Sequence, residues 1–120
     1  MNDRKTLTPC PSSPNCVSTE GEGPEPAIPF TGPAAAAQER LRRAILQVPR
    51  SEIVKEEQGF IAARFRSAVF GFVDEAEFLV DEARGEIAFR SGARTGWYDF
   101  GVNRQRMLTI RSYFDAYRKP

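Results

Sequence analysis

The residues best suited to chemistry lie between Arg90 and Arg106, in the stretch RSGARTGWYDFGVNRQR. This stretch holds four arginines, three glycines, one aspartate and one asparagine. Each arginine offers a planar fork of N–H donors that matches a carboxylate or a phosphate. The stretch therefore predicts either a site for an anion or a set of internal ion pairs that fixes the fold.

Two features keep both interpretations open. A helix is predicted to begin just after Gly101, and the N–H groups and dipole at its start favour an anion. The segment Asp74–Glu82 carries five acidic residues and no base, so Asp74 and Glu77 could instead pair with the arginines on a neighbouring strand. Asn103 falls on the buried side of the helix, where its amide must find partners, and Asp99 is placed to cap the helix start. The candidate ligand-binding residues are Arg90, Ser91, Arg94, Asp99, Asn103, Arg104 and Arg106.

The two cysteines form a second candidate site. Cys10 and Cys16 lie in CPSSPNCVS, with five residues between them. A disulfide fits this spacing but is not expected in a reducing cytosol, so we interpret the pair as structural cysteines. A redox or catalytic role would require a base or cation that lowers the pKa of the Cys16 thiol.

Composition narrows the function classes. The 120 residues contain no histidine, which excludes Ser-His-Asp and Cys-His catalysis and imidazole metal sites. The net charge of +1 gives no field that would attract nucleic acid. No apolar run reaches the roughly 20 residues of a membrane span, and the N-terminus lacks the apolar core of a secretory signal. We expect a soluble, cytoplasmic protein without metal or cofactor.

Periodicity predicts the elements that must position these residues. Apolar residues at helical spacing predict a helix that starts at Pro33 and is stopped by Pro49. Alternating patterns then predict four strands, and a last apolar stripe predicts a second helix over about 102–117. The predicted strands are Ser51–Glu57, Phe60–Arg66, Glu77–Asp81 and Glu86–Ser91.

This order indicates an α+β fold, with two helices on one face of a four-stranded, mainly antiparallel sheet. Residues 1–33 hold seven of the nine prolines, and we expect them to be extended, without regular structure, ahead of a single domain over 34–120. Between strands two and three, Phe70 and Phe72 are interpreted as core residues. A pocket lining or a patch for a partner is the alternative.

Three motifs together resemble the domain of unknown function 1499 family, which comprises uncharacterised bacterial and plastid proteins. They are CPSSPNCVS, FGFVDEAEF and RSGARTGWYDFGVNRQR, in this order over nearly the whole chain. The resemblance implies a compact α+β domain and brings no established reaction. The positions that match the family pattern are Cys10, Pro14, Asn15, Cys16, Asp74, Glu77, Arg90, Ser91, Arg94, Gly96, Asp99, Gly101, Asn103, Arg104 and Arg106.

The leading hypothesis is a small non-enzymatic binding or accessory module. Its arginine-rich site, between the last strand and the last helix, would hold a small anionic ligand or an acidic protein segment. The alternative is a thiol-based redox protein or enzyme that uses Cys16, with Cys10 as the resolving thiol. A third hypothesis is a structural subunit whose arginines only stabilise the fold.

Overall fold

The computed structural model describes residues 6–21, 24–68, 71–94, 96 and 99–117. Within them lie two α-helices and six β-strands, which confirms the α+β class. In chain order the elements are β1 (Cys16–Ser18), β2 (Ile28–Pro29), α1 (Ala34–Gln47), β3 (Ser51–Glu57), β4 (Phe60–Arg66), β5 (Val73–Asp81), β6 (Glu86–Ala93) and α2 (Val102–Ala116).

All strand pairs are antiparallel, in the order β1-β6-β5-β4-β3, and β2 also pairs with β6. The predicted count of four strands is therefore wrong. The two additional strands lie in the proline-rich part of the chain, for which no regular structure was predicted. Strands of two and three residues are too short to show an alternation of apolar and polar residues in the sequence. These two form because the edge of β6 offers them unpaired N–H and C=O groups. The division at residue 33 stays a prediction.

The core lies on one face of this sheet. The register places Ile61 opposite Phe78, and Phe78 opposite Phe89, so these side chains share the face that the helices cover. All three are buried, as the alternating pattern predicted. The turn that joins β5 to β6 contains Gly85, whose positive φ of 65° is readily adopted by glycine.

The two helices pack on this face and on each other. α1 buries Ala37, Leu41, Ala44 and Ile45, and α2 buries Asn103, Met107, Ile110 and Phe114. The guanidinium of Arg40 lies 3.9 Å from the ring centroid of Phe114 and donates to its main-chain oxygen, which joins the helices across their interface. Within the described residues no helix is both long and apolar enough to cross a membrane.

The opposite face of the sheet is partly covered by the start of the chain. Thr8 donates two hydrogen bonds to the carboxylate of Glu77, from its main-chain N at 2.7 Å and from Oγ1 at 2.8 Å. The neighbouring Leu7 is only 6% exposed. Leu7 and Thr8 are therefore packed onto the domain.

Two predictions about the middle of the chain are wrong. β5 begins at Val73, four residues before the predicted start, and so includes the acidic pair Asp74 and Glu75. Phe72 is 61% exposed and is not a core residue. Phe70 lies outside the described residues.

Candidate functional site

The side chain of Asn103 is the centre of a buried polar network. It is completely buried, and its Oδ1 accepts from Ser91 Oγ at 2.7 Å and from Arg106 Nη1 at 2.9 Å. Its Nδ2 donates to Asp99 Oδ2 at 2.8 Å and to the main-chain oxygen of Asn15 at 3.4 Å. Because every donor and acceptor of the amide is used, its orientation is fixed.

A buried ion pair adjoins this amide. Arg106 Nη2 lies 2.8 Å from Asp74 Oδ2, and each side chain is only 12% exposed. The guanidinium also lies 4.6 Å from the ring centroid of Phe65, the residue opposite Asp74 in the β4–β5 pairing. Burying two charges is costly unless both are well hydrogen-bonded, and here the network supplies those bonds.

Asp99 closes the network at the start of α2. Its carboxylate accepts from the main-chain N–H groups of Gly101 at 2.9 Å and Asn103 at 3.1 Å, in addition to the Asn103 amide. Burial raises the pKa of Asp99, but the hydrogen bonds from Asn103 and Gly101 outweigh it, so the pKa lies below its ordinary value. The carboxylate is therefore ionised at neutral pH.

The N-terminal segment also contributes a residue, Asn15, to the network. Asn15 is 3% exposed. Its Nδ2 donates to the main-chain oxygen of Gly96 at 2.7 Å, and its Oδ1 accepts from Ser13 Oγ at 2.8 Å. Its main-chain oxygen accepts from the N–H of Ala93 at 3.0 Å. This one residue therefore ties the N-terminal segment to the connection between β6 and α2.

Cys10 and Cys16, which flank Asn15, form a disulfide. Our interpretation of them as unpaired structural cysteines is wrong. The proline-containing loop brings their Cα atoms to 5.7 Å, a separation that suits a disulfide.

A cavity of about 510 Å³ opens beside the network. Its wall is built from the α1–β3 turn, the ends of β4 and β6, the start of β5 and the start of α2. Asp74, Asp99 and Arg106 belong to both the network and the cavity. The residues that line it are Val48, Pro49, Arg50, Phe65, Arg66, Ser67, Phe72, Val73, Asp74, Ala93, Gly96, Asp99, Phe100, Val102 and Arg106.

Two cavity residues have an unusual backbone. Arg50 (φ 58°) and Phe100 (φ 57°) are the non-glycine residues with positive φ in the described part of the chain. A left-handed conformation costs a residue with a side chain about 1–2 kcal/mol. Such strain concentrates at ligand-binding sites, where the surrounding structure holds it, and here both strained residues line the same cavity.

The mouth of the cavity combines exposed apolar side chains with arginines. Phe72, Phe100 and Val102 are among the most exposed large apolar residues. Arg50 and Arg66 lie side by side, since Arg50 Nε donates to the main-chain oxygen of Arg66 at 3.1 Å. Neither guanidinium pairs with a carboxylate among the residues that the structure describes.

Comparison with protein families matches residues 6–114 to the family described as "Protein of unknown function (DUF1499)". The chain belongs to the DUF1499 family. The match spans nearly all of the chain and confirms the resemblance of its three motifs. A comparison with curated proteins gave no match.

In this DUF1499 domain, the predicted site residues separate into two groups. Those brought together in the network are Ser91, Asp99, Asn103 and Arg106, with Asp74 as the ion-pair partner. The remaining predicted residues, which lie outside this network, are Glu77, Arg90, Arg94 and Arg104.

The three outlying arginines do not converge on the start of α2. Ser91 points towards α2, and alternation along β6 directs Arg90 to the other face, where its Nε is buried without a hydrogen bond among the described residues. Arg94 Nη2 lies 2.7 Å from Glu75 Oε2 and Arg104 Nε 3.4 Å from Glu25 Oε2, both near the surface. Their role in ligand binding stays a prediction.

Sequence reasoning did not find the cavity or the part played by Asn15. Asn15 lies inside the two-cysteine motif, from which a role was predicted only for the thiols of Cys10 and Cys16. Arg50 and Arg66 flank the β3–β4 hairpin, and their proximity could have been read from the pairing of Ser51 with Phe65. The cavity itself is assembled from five separate segments, so no local pattern indicates it.

Proposed function

We propose that this DUF1499 domain is a non-enzymatic binding module whose cavity holds a small ligand with an apolar body and an anionic group. The observation that carries the proposal is that one cavity contains Arg50 and Phe100, which are the strained non-glycine residues of the described part of the chain, an apolar wall, and two arginines that pair with no carboxylate among the described residues. A volume of about 510 Å³ is within the range of about 300–1,000 Å³ that is usual for ligand pockets.

The apolar body would contact the wall between β4, β5 and α2. Phe65, Val73 and Ala93 supply apolar surface along the sheet side, while Phe72 and Phe100 extend it at the mouth. Exposed aromatic side chains gain from burial in proportion to the area covered, at about 25 cal/mol per Å². A ligand seated there would remove this surface from water.

The charges of the lining favour an anionic group at the mouth. The positive charge of Arg106 is balanced by Asp74 at 2.8 Å, and the negative charge of Asp99 is held by three N–H donors. Arg50 and Arg66 remain, and their guanidinium forks match a carboxylate or a phosphate. The polar groups at the cavity floor are hydrogen-bonded to one another. This arrangement favours a site that holds a ligand in place over one that transfers a proton.

The test is thermal unfolding with straight-chain carboxylates and alkyl phosphates of increasing length, with inorganic phosphate as the headgroup alone. A ligand that binds the folded state raises the midpoint, and we expect the rise to grow with chain length. It should be lost in Arg50→Asn combined with Arg66→Gln; asparagine tolerates the positive φ at position 50.

Arg94→Gln and Arg104→Gln are the matched controls. They remove the same charge from the arginines that the sequence favoured, and the cavity proposal expects the shift to persist in both. A shift lost only in these two variants would place the anion where the sequence predicted it. No shift with any probe would overturn ligand binding and leave the ion pairs as a stabilising device.

A thiol-based redox function is the second candidate, since Cys10 and Cys16 are joined. It predicts that the reduced protein reoxidises rapidly with a partner disulfide and that reduced Cys16 is alkylated quickly near neutral pH. Slow alkylation that requires denaturant would refute it. The cytoplasmic location stays a prediction, and the disulfide counts against it, because such bonds persist mainly in oxidising compartments.

A further inference from the structure

We infer that the Cys10–Cys16 disulfide regulates ligand binding in the cavity, and that Asn15 is the positioning residue that carries the effect. The inference rests on the proposed binding function and names how that same site is controlled. Asn15 lies within the loop that the disulfide closes, yet its hydrogen bonds reach outside the loop.

The β1–β6 pairing places the disulfide directly against β6. Cys16 is paired with Gly92 in the β1–β6 ladder. A Cβ added to Gly92 would lie 2.9 Å from Cys16 Sγ and 3.1 Å from Cys16 Cβ. The sulfur therefore occupies the space that a side chain at position 92 would fill. The closed loop packs against the strand at this position.

In this position Asn15 fixes two parts of the cavity wall through hydrogen bonds. Its Nδ2 binds the main-chain oxygen of Gly96 at 2.7 Å, and Gly96 lines the cavity. Its main-chain oxygen accepts from Asn103 Nδ2 at 3.4 Å. Asn103 in turn holds Asp99 and Arg106, which lie in the cavity wall.

The regulating reaction is reduction of the disulfide by a dithiol, either a small molecule or a dithiol protein. One thiolate of the reductant attacks a protein sulfur, and a mixed disulfide forms; the second thiolate then releases the protein. Two electrons and two protons pass to Cys10 and Cys16, which become thiols, while the reductant becomes a disulfide. Without the cross-link, the Cys10 end of the loop is no longer tied to Cys16, and Asn15 loses its fixed position.

We expect reduction to weaken binding by about 5- to 150-fold, the usual span of coupling between two sites. Since such coupling is reciprocal, a saturating ligand should make the disulfide harder to reduce by the same factor. The probe is the straight-chain carboxylate that gives the largest thermal shift, titrated into the oxidised and the dithiothreitol-reduced protein. Circular dichroism confirms that both forms are folded.

Asn15→Ala separates positioning from a general structural role. In this variant the oxidised protein should already bind weakly, and reduction should change its affinity by less than twofold. Ser12→Ala is the matched control, because Ser12 is an exposed residue of the same loop; it should keep both the affinity and the response to reduction. Equal affinity of the oxidised and reduced wild-type proteins would overturn the inference while leaving the binding function intact.

A readout without ligand distinguishes the two possible failures. The amide of Ala93 donates to the main-chain oxygen of Asn15, an acceptor that Asn15→Ala retains, so its hydrogen exchange should accelerate on reduction of the wild-type protein. If no probe binds the oxidised protein, the proposed function fails. If the amide exchanges at the same rate in both redox states, the inference itself fails. If the reduced chain does not fold, the test is the affinity of the oxidised Asn15→Ala variant for the carboxylate probe. An affinity equal to that of the oxidised wild-type protein would refute the positioning role.

Discussion

The ion pair between Arg106 and Asp74 should be a major source of stability, and Arg106→Met tests this. Methionine keeps an apolar side chain at position 106 but removes the guanidinium that lies over the Phe65 ring. Asp74 would then keep its position in the sheet, 9% exposed, without its counter-ion at 2.8 Å. A buried charge deprived of its partner typically costs about 3–5 kcal/mol.

The structure also sets the order of the related variants. Asp74→Asn leaves the arginine its bond to Asn103 Oδ1 and its contact with the Phe65 ring, so we expect a smaller loss of about 1–3 kcal/mol. The double variant contains no unpaired charge, and its loss should fall short of the sum of the two single losses by about 1–3 kcal/mol.

Urea unfolding at neutral pH measures these differences through the midpoint and slope. The expected loss for Arg106→Met corresponds to a fall in melting temperature of roughly 10–20 °C for a domain of this size. Arg104→Met is the matched control on the same helix, because its partner Glu25 is 3.4 Å away and the arginine side chain is 64% exposed; it should change stability by less than about 1 kcal/mol. A loss below 1 kcal/mol for Arg106→Met, or additive single losses, would refute the reasoning.

Three further perturbations test other parts of the structure. Gly92→Ala should cost about 1–3 kcal/mol because its Cβ would meet Cys16 Sγ at 2.9 Å; the same change in a Cys10→Ala/Cys16→Ala background should cost less in urea, and an equal cost would contradict the contact. Asp99 has a folded-state pKa below the ordinary value, so its contribution is complete above the unfolded pKa of about 3.9 and is lost as pH falls through the folded pKa. The stability gap between wild type and Asp99→Asn should therefore narrow in acid, and a gap independent of pH would exclude this linkage. Leu7→Ala should cost about 2–5 kcal/mol by calorimetry, against less than about 0.5 kcal/mol for the half-exposed Leu108→Ala; similar small losses would show that the N-terminal segment does not contribute to the core structure.

Much of the central fold could be read from local patterns. The hairpin around Gln58 and Gly59, the alternation that buries Phe78 and Phe89, and the stripe on α2 all depend on short-range periodicity. Even the burial of Asn103 followed from its spacing to Met107. What the spacing could not give was the identity of the partners, because Ser91, Asp99 and Asn15 reach Asn103 from different parts of the chain.

The errors have physical causes of the same kind. Asp74 was expected to pair with an arginine on the neighbouring strand, but its partner is Arg106 on α2, which stabilises it within the buried side of β5. Arg90 and Ser91 were predicted in one site, but alternation along β6 places neighbouring side chains on opposite faces of the sheet. The β3–β4 pairing contains a register shift between Ile53 and Lys55, which the sequence does not mark with a glycine or a proline.

The pairing of β1 and β2 with β6 also bears on aggregation. An uncovered strand edge can template pairing with another chain, and these two short strands cover the edge of β6 in each folded molecule. The described sheet ends on its other side at β3, which carries Glu52, Lys55, Glu56 and Glu57 and a register shift, both of which discourage edge-to-edge pairing. If the residues of β1 and β2 were removed or displaced, the eight-residue strand β6 would present its unpaired N–H and C=O groups to solvent. A chain that lacks residues 1–29 should therefore associate through this edge and elute as larger species in size-exclusion chromatography, whereas the intact domain should not.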